Sequence, residues 1–507
     1  MVYQTKPQEH LGHACSLKID GGDMMLGRES REFDYIFNPR SVAIIGASQN
    51  DITTLALMNT KMKDRLYLVN PKYDEILGKK CYRSLLEVKE RIDYAIVGVA
   101  TLVVPQVVRE CIQKGVKVVQ IFTAGFSETG IPERVKLEKE LKAMTEGRIR
   151  VIGPNCFGVY CPRSGLSIIP EASMEEGHVG VIAQSGSVVE SLSYFGETKN
   201  IRFSKMVSYG NALDLDSFDF LEYLADDPDT RMIGLYIEGS KNGARLKAAL
   251  SKAAGQKPVI AIKGGMTEHG MRAASSHTAS MAGSPEVWKS LFKQAGAIQV
   301  ESFEELVNAI MAFDSSPLPE GNAVSIITNS GGFSVIQTDL CTQEGIEVPQ
   351  FEQKTMDELS QLVPIAGTSI GNPLDAWPIY YNVSARSGNL AEIIKVVARD
   401  RNIHSLVFQF DQFRYLRRVL GGGIEAHIQL LIGQMTEGCQ YTRDVLRKPV
   451  MVCISLDPYL EDEGERKYNL MMKRALMDKG FPVYSTLDAA IKGLSSLSTF
   501  SARIHRK

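Results

Sequence analysis

The chain has 507 residues, with 57 Lys+Arg against 59 Asp+Glu (net charge -2), 44% hydrophobic and 23% charged. This composition excludes wholesale disorder and a membrane-spanning protein, and the near-neutral balance gives no long-range pull on nucleic acid or anionic lipid. The eight cysteines are scattered without a Cys-x-x-Cys pair, which excludes a zinc centre and a disulfide framework. The length suggests roughly three domains of about 100–200 residues. The charged N-terminus lacks the apolar core of a secretory signal, and the longest apolar uncharged run, residues 94–105, is too short to cross a bilayer. A cytoplasmic protein is expected.

Residues 1–33 contain Gly21-Gly22 and no sustained periodicity, and are expected to be a tail. From Ser41 a series of short β-branched runs begins: SVAIIGAS (41–48), RLYLVN (65–70), DYAIVGVA (93–100), VKVVQIF (116–122) and IRVIGPN (149–155). Amphipathic segments such as 104–115 and 132–144 lie between the later runs. Buried strands alternating with helices predict a parallel sheet covered on both faces, hence a Rossmann-like domain over 34–160.

A second series, at 177–187, 201–211, 231–239 and 257–265, ends in the helix 302–316, where Ser302 and Glu305 fit a capping box. SSPLPEGN (315–322) reads as a linker. A third series runs from NAVSIITNSGG (322–332) through 404–411 and 448–456 to 480–485. The expected division is therefore 161–316 and 317–507 for the second and third domains. VIAQSGS (181–187) and IITNSGG (326–332) share one pattern: apolar strand, amide, Ser, Gly, and a small residue opening a helix.

Three constellations could carry chemistry. The turn after the first strand offers Gly46 but has Ser48 and Asp51 where a nicotinamide fingerprint would have glycines. The second strand is followed by Lys72 rather than by a ribose-binding carboxylate, which suits a ligand with an additional phosphate such as coenzyme A; a solvated turn lysine is the alternative reading. The turns at Ser185-Gly186 and Ser330-Gly331-Gly332 put free N–H groups and the positive ends of helix dipoles at the carboxyl ends of strands, where anions bind. Simple close packing of helix on sheet is the competing account of either turn. His277 lies among small residues, and Glu238 ends the strand IGLYIEG. A carboxylate on one ring nitrogen would fix the tautomer and leave the other nitrogen nucleophilic.

FNPRSVAIIGAS, TAGFSETG, GPNCFGVY, AQSGSV, MIGLYIEG, KPVIAIKGGMTEHGMRAASSHTAS, SIITNSGG and GNPLDAW occur in this order. Together they resemble the α subunit, or α-type half, of the ADP-forming acyl-CoA synthetases, relatives of succinyl-CoA synthetase. The resemblance covers nearly everything after residue 33. It implies an α/β chain with an N-terminal Rossmann-like CoA-binding domain followed by two flavodoxin-like domains. It also implies that His277 is a phosphohistidine and Glu238 its orienting carboxylate. The helix starts at Ser185, Gly186, Ser330, Gly331 and Gly332 would face the phosphate, Gly46, Ser48, Lys72 and Asn155 would belong to the CoA motifs, and Cys156 would lie near the thiol end of CoA.

The implied reaction interconverts acyl-CoA, phosphate and ADP with a carboxylic acid, CoA and ATP. No P-loop and no ATP-grasp region is evident, so ADP/ATP and Mg²⁺ are expected on a separate ATP-grasp β subunit in an α₂β₂ assembly, with no metal held by this chain. A catalytically retired CoA-binding regulator is the alternative, and a nicotinamide oxidoreductase is disfavoured by the Gly46–Asp51 turn. The sequence departs from the family pattern in a short interval between Gly46-Ala47-Ser48 and Asn70-Pro71-Lys72, in Thr278-Ala279-Ser280 after the histidine, and in the N-terminal tail.

Overall fold

The computed structural model describes residues 28–278, 283–328, 330–363, 369–376, 389–410, 423–454 and 463–505, with the side chains of 28–32, 275–278 and 465 outside that description. Most of the expected tail therefore lies outside the described residues.

The helix α1 (Arg28–Phe37) begins ahead of the expected boundary at residue 34. It is held by the burial of Ile36 and Phe37, the Phe37 ring stacking on Tyr223 at 4.9 Å between centroids. A seven-stranded sheet follows, made of β1 (Val42–Ile45), β2 (Leu66–Val69), β3 (Glu75–Ile76), β4 (Lys79–Tyr82), β5 (Tyr94–Val97), β6 (Val118–Ile121) and β7 (Arg150–Ile152). Its order is β3-β4-β2-β1-β5-β6-β7. Apart from the β3/β4 hairpin the pairings are parallel. With β3 set aside the order is that of a doubly wound Rossmann sheet, which binds ligands where the strand order reverses, here between β1 and β5. The apolar runs are explained by burial on both faces: every residue of β1, β5 and β6 is buried.

The helices are α2 (Ile52–Met58), α3 (Val104–Lys114) and α4 (Pro132–Thr145). Pro105 starts α3 and Gly115, at φ 75°, stops it, the usual pairing of a proline-tolerant first turn with a left-handed cap.

The second sheet contains β8 (Gly158–Tyr160), β9 (Val179–Ala183), β10 (Phe203–Ser208), β11 (Met232–Ile237), β12 (Val259–Lys263) and β13 (Ile298–Val300), in the order β13-β12-β11-β9-β10-β8. Its five later strands are parallel in flavodoxin order, and β8 adds to β10 antiparallel, so the chain is already tied to the second sheet at Gly158. The helices are α5 (Gly186–Lys199), α6 (Ser217–Asp226), α7 (Gly243–Gln256), α8 (Glu268–Thr278), α9 (Pro285–Ala295) and α10 (Phe303–Ser315). Ser302 caps α10 by accepting from the Glu305 N–H at 3.1 Å. The Glu305 carboxylate, however, reaches the Glu301 N–H rather than that of Ser302, so the expected capping box is only half made.

The third sheet, β14 (Val324–Thr328), β15 (Leu374–Asp375), β16 (Ser405–Phe410), β17 (Val450–Ile454) and β18 (Val483–Tyr484), is all parallel in the order β15-β14-β16-β17-β18. This is flavodoxin order again. Here α11 (Gly331–Gln343) follows β14, and the last described helix, Leu487–His505, packs back onto α10. Val181, Ile310, Ile326, Val407 and Leu497 share one apolar cluster, so the second and third sheets are joined by a continuous core. No helix among the described residues is long and apolar enough to cross a membrane.

Candidate functional site

The three switch points organise the candidate residues. In the second sheet the order reverses between β9 and β11, and the turns after these strands carry Ser185 and Glu238 respectively. Gln184, which ends the first of them, accepts through Oε1 from the backbone N–H of Glu238 at 2.9 Å and of Gly239 at 3.1 Å. This ties the two turns together. Glu238 is buried, and the Tyr236 hydroxyl donates to its Oε1 at 3.0 Å. Glu238 directly follows β11, two residues after Tyr236, and the hydrogen bond shows that the two side chains share a face. Burial, and then the adjacent carboxylate, push the Tyr236 phenol well above its ordinary value, so it remains a donor.

Ser185 is the N-cap of α5 but makes no side-chain cap; its hydroxyl pairs with that of Ser187 at 2.9 Å. The first-turn N–H groups of α5 are thus left without a side-chain acceptor at the expected anion position. Gly186 is required there because a Cβ would stand 2.2 Å from the Phe157 ring. Ser330 caps α11 in the same way, without a side-chain hydrogen bond, and Gly331 and Gly332 are exposed. The two turns occupy equivalent places on different sheets.

His277 falls in the last turn of α8, and its side chain lies outside the described residues. α8 packs against the Ser127–Thr129 turn of the first domain. That turn is itself fixed from the second domain: Asn211 Nδ2 donates to Glu128 at 2.6 Å and to Glu138 at 3.0 Å. Neither carboxylate nor Asn211 was singled out from the sequence. The TAGFSETG motif contains Glu128, but nothing in one sequence pairs it with residue 211.

In the first sheet Gly46 has φ +99°, and a Cβ there would meet the Gly98 carbonyl at 2.4 Å, so only glycine fits. Asn70 links the neighbouring turns: its Nδ2 donates to the Ala47 carbonyl at 2.8 Å and its Oδ1 accepts the Lys72 N–H at 3.0 Å. Gly46, Ser48 and Lys72 are thereby held at one end of the sheet, with the Lys72 side chain exposed. α2 is only seven residues long, and its first turn is already capped by the Asp51 carboxylate, which accepts from the Thr54 N–H at 2.8 Å. Asn155 adopts φ +58° beside the Asn211 loop, whose Asn211 N–H donates to the Pro154 carbonyl at 3.0 Å. Cys156 is buried with its thiol against the Ile121 carbonyl, and burial raises its pKa, which disfavours a thiolate role. Among the described residues no group of three or more His, Cys, Asp and Glu is placed to hold a metal ion.

Residues 40–162 match a family model described as a CoA binding domain, and 176–313 one described as a succinyl-CoA ligase like flavodoxin domain. The chain is 43% identical over 356 residues to an acetate–CoA ligase [ADP-forming] of Methanocaldococcus jannaschii, covering 69% of this chain and 50% of that protein. It thus spans about half the length of that relative. It is 39% identical over 380 residues to the acetate–CoA ligase [ADP-forming] II subunit alpha of Pyrococcus furiosus, covering 74% of this chain and 81% of the other. Identity to the corresponding I subunit alpha of Pyrococcus furiosus is 33% over 477 residues, 92% and 97% of the two chains. Among solved structures, a dinucleotide forming acetyl-coenzyme A synthetase 1 of Ca. Korarchaeum cryptofilum, in complex with phosphate and ADP, superposes with a TM-score of 0.78 at 28% identity, covering 94% of this chain and 97% of that one.

Proposed function

The chain belongs to the ADP-forming acyl-CoA synthetases, and from that premise we propose that it interconverts acyl-CoA, phosphate and ADP with a carboxylic acid, CoA and ATP through an acyl phosphate and a phosphorylated His277. The observation that carries this reading is the buried Glu238, locked by Gln184 at the switch point where the uncapped start of α5 also lies.

An oxygen of phosphate attacks the thioester carbon; the C–S bond breaks, the CoA thiolate leaves and takes up a proton, and an acyl phosphate remains. The neutral imidazole of His277 then attacks phosphorus through the ring nitrogen turned away from Glu238. The bond from phosphorus to the acyl oxygen breaks, the carboxylate departs, and the N–P bond forms. Glu238 accepts the other ring N–H and so balances the charge that develops on the ring. The α5 and α11 starts, with Ser185, Gly186, Ser330, Gly331 and Gly332, act as donors to the phosphoryl oxygens. Gly46, Ser48, Lys72 and Asn155 hold CoA.

Transfer of the phosphoryl group from His277 to ADP is assigned to an ATP-grasp unit that holds nucleotide and Mg²⁺, in an α₂β₂ assembly. The two Pyrococcus furiosus relatives named as α subunits favour a separate β chain. The organisation proposed with it is a CoA domain that opens with α1 and ends ahead of β8, a phosphohistidine domain from β8 to residue 316 and a third domain over 317–507, in the cytoplasm.

The test is direct. Acetyl-CoA and labelled inorganic phosphate are expected to leave acid-labile label on the wild type and none on His277→Ala. A wild type that takes up no label from acetyl-CoA or from branched, aryl and hydroxy acyl-CoA thioesters overturns the reading and favours a non-catalytic CoA-binding role.

A further inference from the structure

We propose that Asn211 is a positioning residue for the phosphohistidine step: it fastens the Ser127–Thr129 turn of the first domain as the seat of α8, the helix that carries His277. The inference rests on the function proposed above and assigns a role to a residue which that mechanism does not use.

Residues 211–215 follow β10 and run alongside β7, the edge strand of the first sheet. The N–H groups of Asn211, Leu213 and Leu215 donate to the carbonyls of Pro154, Gly153 and Val151 at 3.0, 2.9 and 3.2 Å. The joint between the first two domains is thus made here by backbone and does not depend on the Asn211 side chain. That side chain is directed elsewhere. The residue is only 4% exposed, and its Nδ2 donates to Glu128 at 2.6 Å and to Glu138 at 3.0 Å, so one amide stands between two carboxylates. The same acids hold the backbone of the turn. Glu128 Oε1 accepts the N–H groups of Gly125 at 2.5 Å and Phe126 at 3.1 Å, and Glu138 Oε2 accepts that of Ser127 at 3.1 Å. Hydrogen bonds to a carboxylate are strong, and two neighbouring carboxylates without a donor between them repel. Asn211 is the donor that lets both acids work on one turn.

The other half of the amide argues against a mere filler. Asn211 Oδ1 is buried without a partner among the described residues, and an orphaned buried acceptor costs stability. An apolar side chain would fill the joint without that cost; the amide is kept for what Nδ2 does. α8 belongs to the second domain yet packs against this turn of the first, and His277 lies in its last turn. A seat that shifts carries the helix with it, and displacing a reacting group by about 1 Å can cost roughly 100-fold in rate.

The full chain is given labelled phosphate and whichever of acetyl-, branched, aryl or hydroxy acyl-CoA labels the wild type. Acid-labile label is followed in single turnovers over a range of acyl-CoA concentrations, with thermal melts alongside. The variants are Asn211→Asp, Asn211→Ala and the pair Asn211→Asp with Glu128→Gln. Asn211→Asp keeps the shape of the side chain but sets a third acid at the turn. The pair returns a donor to the gap from the opposite side, while the new amide oxygen can still accept from Gly125 and Phe126. The saturating rate is expected to fall about 10–100-fold in Asn211→Asp, with the half-saturating acyl-CoA concentration within about twofold of wild type. Asn211→Ala should fall in the same sense by a smaller factor, and the pair should recover most of the loss. A folded Asn211→Asp that keeps the wild-type saturating rate, or loses rate only through a raised half-saturating concentration, overturns the inference, as does a folded pair that recovers nothing. Should either fail to fold, the saturating rate of Asn211→Ala decides it by the same criteria. No label on the wild type from any of these thioesters overturns the functional reading itself, a result distinguishable from failure of the Asn211 role alone.

Discussion

Gln184 and Glu238 are joined across the switch point of the second sheet, the amide oxygen of the first accepting the backbone N–H of the second at 2.9 Å. Both residues are buried, and the same oxygen also takes the Gly239 N–H. Replacing Gln184 by Leu would orphan two buried donors at a cost of about 1–3 kcal/mol each and release the turn that aims Glu238. The expected result is a lower melting temperature and roughly 10–100-fold slower phosphorylation of the wild-type histidine, near the range for losing an oriented catalytic contact. An unchanged labelling rate in a folded Gln184→Leu variant would show that this lock does not set the carboxylate.

Gly186→Ala tests the start of α5. The new Cβ would stand 2.2 Å from the Phe157 ring, whose own movement is limited by edge-on packing with Phe122 at 5.7 Å. Overpacking of this kind costs about 1–3 kcal/mol. Pairing the substitution with Phe157→Leu should recover part of the lost stability in a thermal melt. Recovery of stability without recovery of label would separate the donor role of the turn from its packing role.

The repeated strand–Ser-Gly–helix pattern, the alternation of strands and helices and the placing of Gly46 were legible because each is local: a run of apolar residues, a turn and a helix start lie within about a dozen positions. The capping box at Ser302 is half made because the Glu305 carboxylate takes the Glu301 N–H. α1 went unread because Phe37 is committed to the structure by Tyr223, far along the chain. The same holds for the site. Glu238 could be proposed from its strand end, whereas the Asn211 contacts to Glu128 and Glu138 arise only when separate elements pack together. Short-range patterns gave the chemistry, and long-range contacts supply what orients it.

Lys72→Ala probes the CoA assignment with little structural cost. The backbone N–H of Lys72, not its side chain, makes the bond to Asn70, and the ammonium is in solvent. Loss of one exposed phosphate contact should raise KM for CoA by roughly 3–10-fold with kcat nearly unchanged, the pattern of uniform binding, and should leave the melting temperature where it was. Steady-state kinetics in the acyl-CoA-forming direction, with the proposed ATP-grasp subunit added, checks this. A fall in kcat at constant KM would place Lys72 outside the CoA-binding set.

Lys199, in the last turn of α5, provides a pH test of the joint between the second and third domains. Burial pulls its ammonium down to about 8, with a further push from Lys473 and an opposing pull from Glu304. The folded value lies below the unfolded one of about 10.4. Between these two values the unfolded chain holds a proton that the folded chain has released, so this lysine makes stability rise with pH across that window; below it both states are protonated and the penalty is constant. Lys199→Met should therefore be more stable than the wild type at pH 7, by about 1–2 kcal/mol once the partial exposure of the side chain is discounted. The advantage should shrink towards zero near pH 10. Thermal melts of both proteins at the two pH values measure it, and an advantage that persists undiminished at pH 10 would assign the gain to added apolar packing rather than to relief of a buried charge.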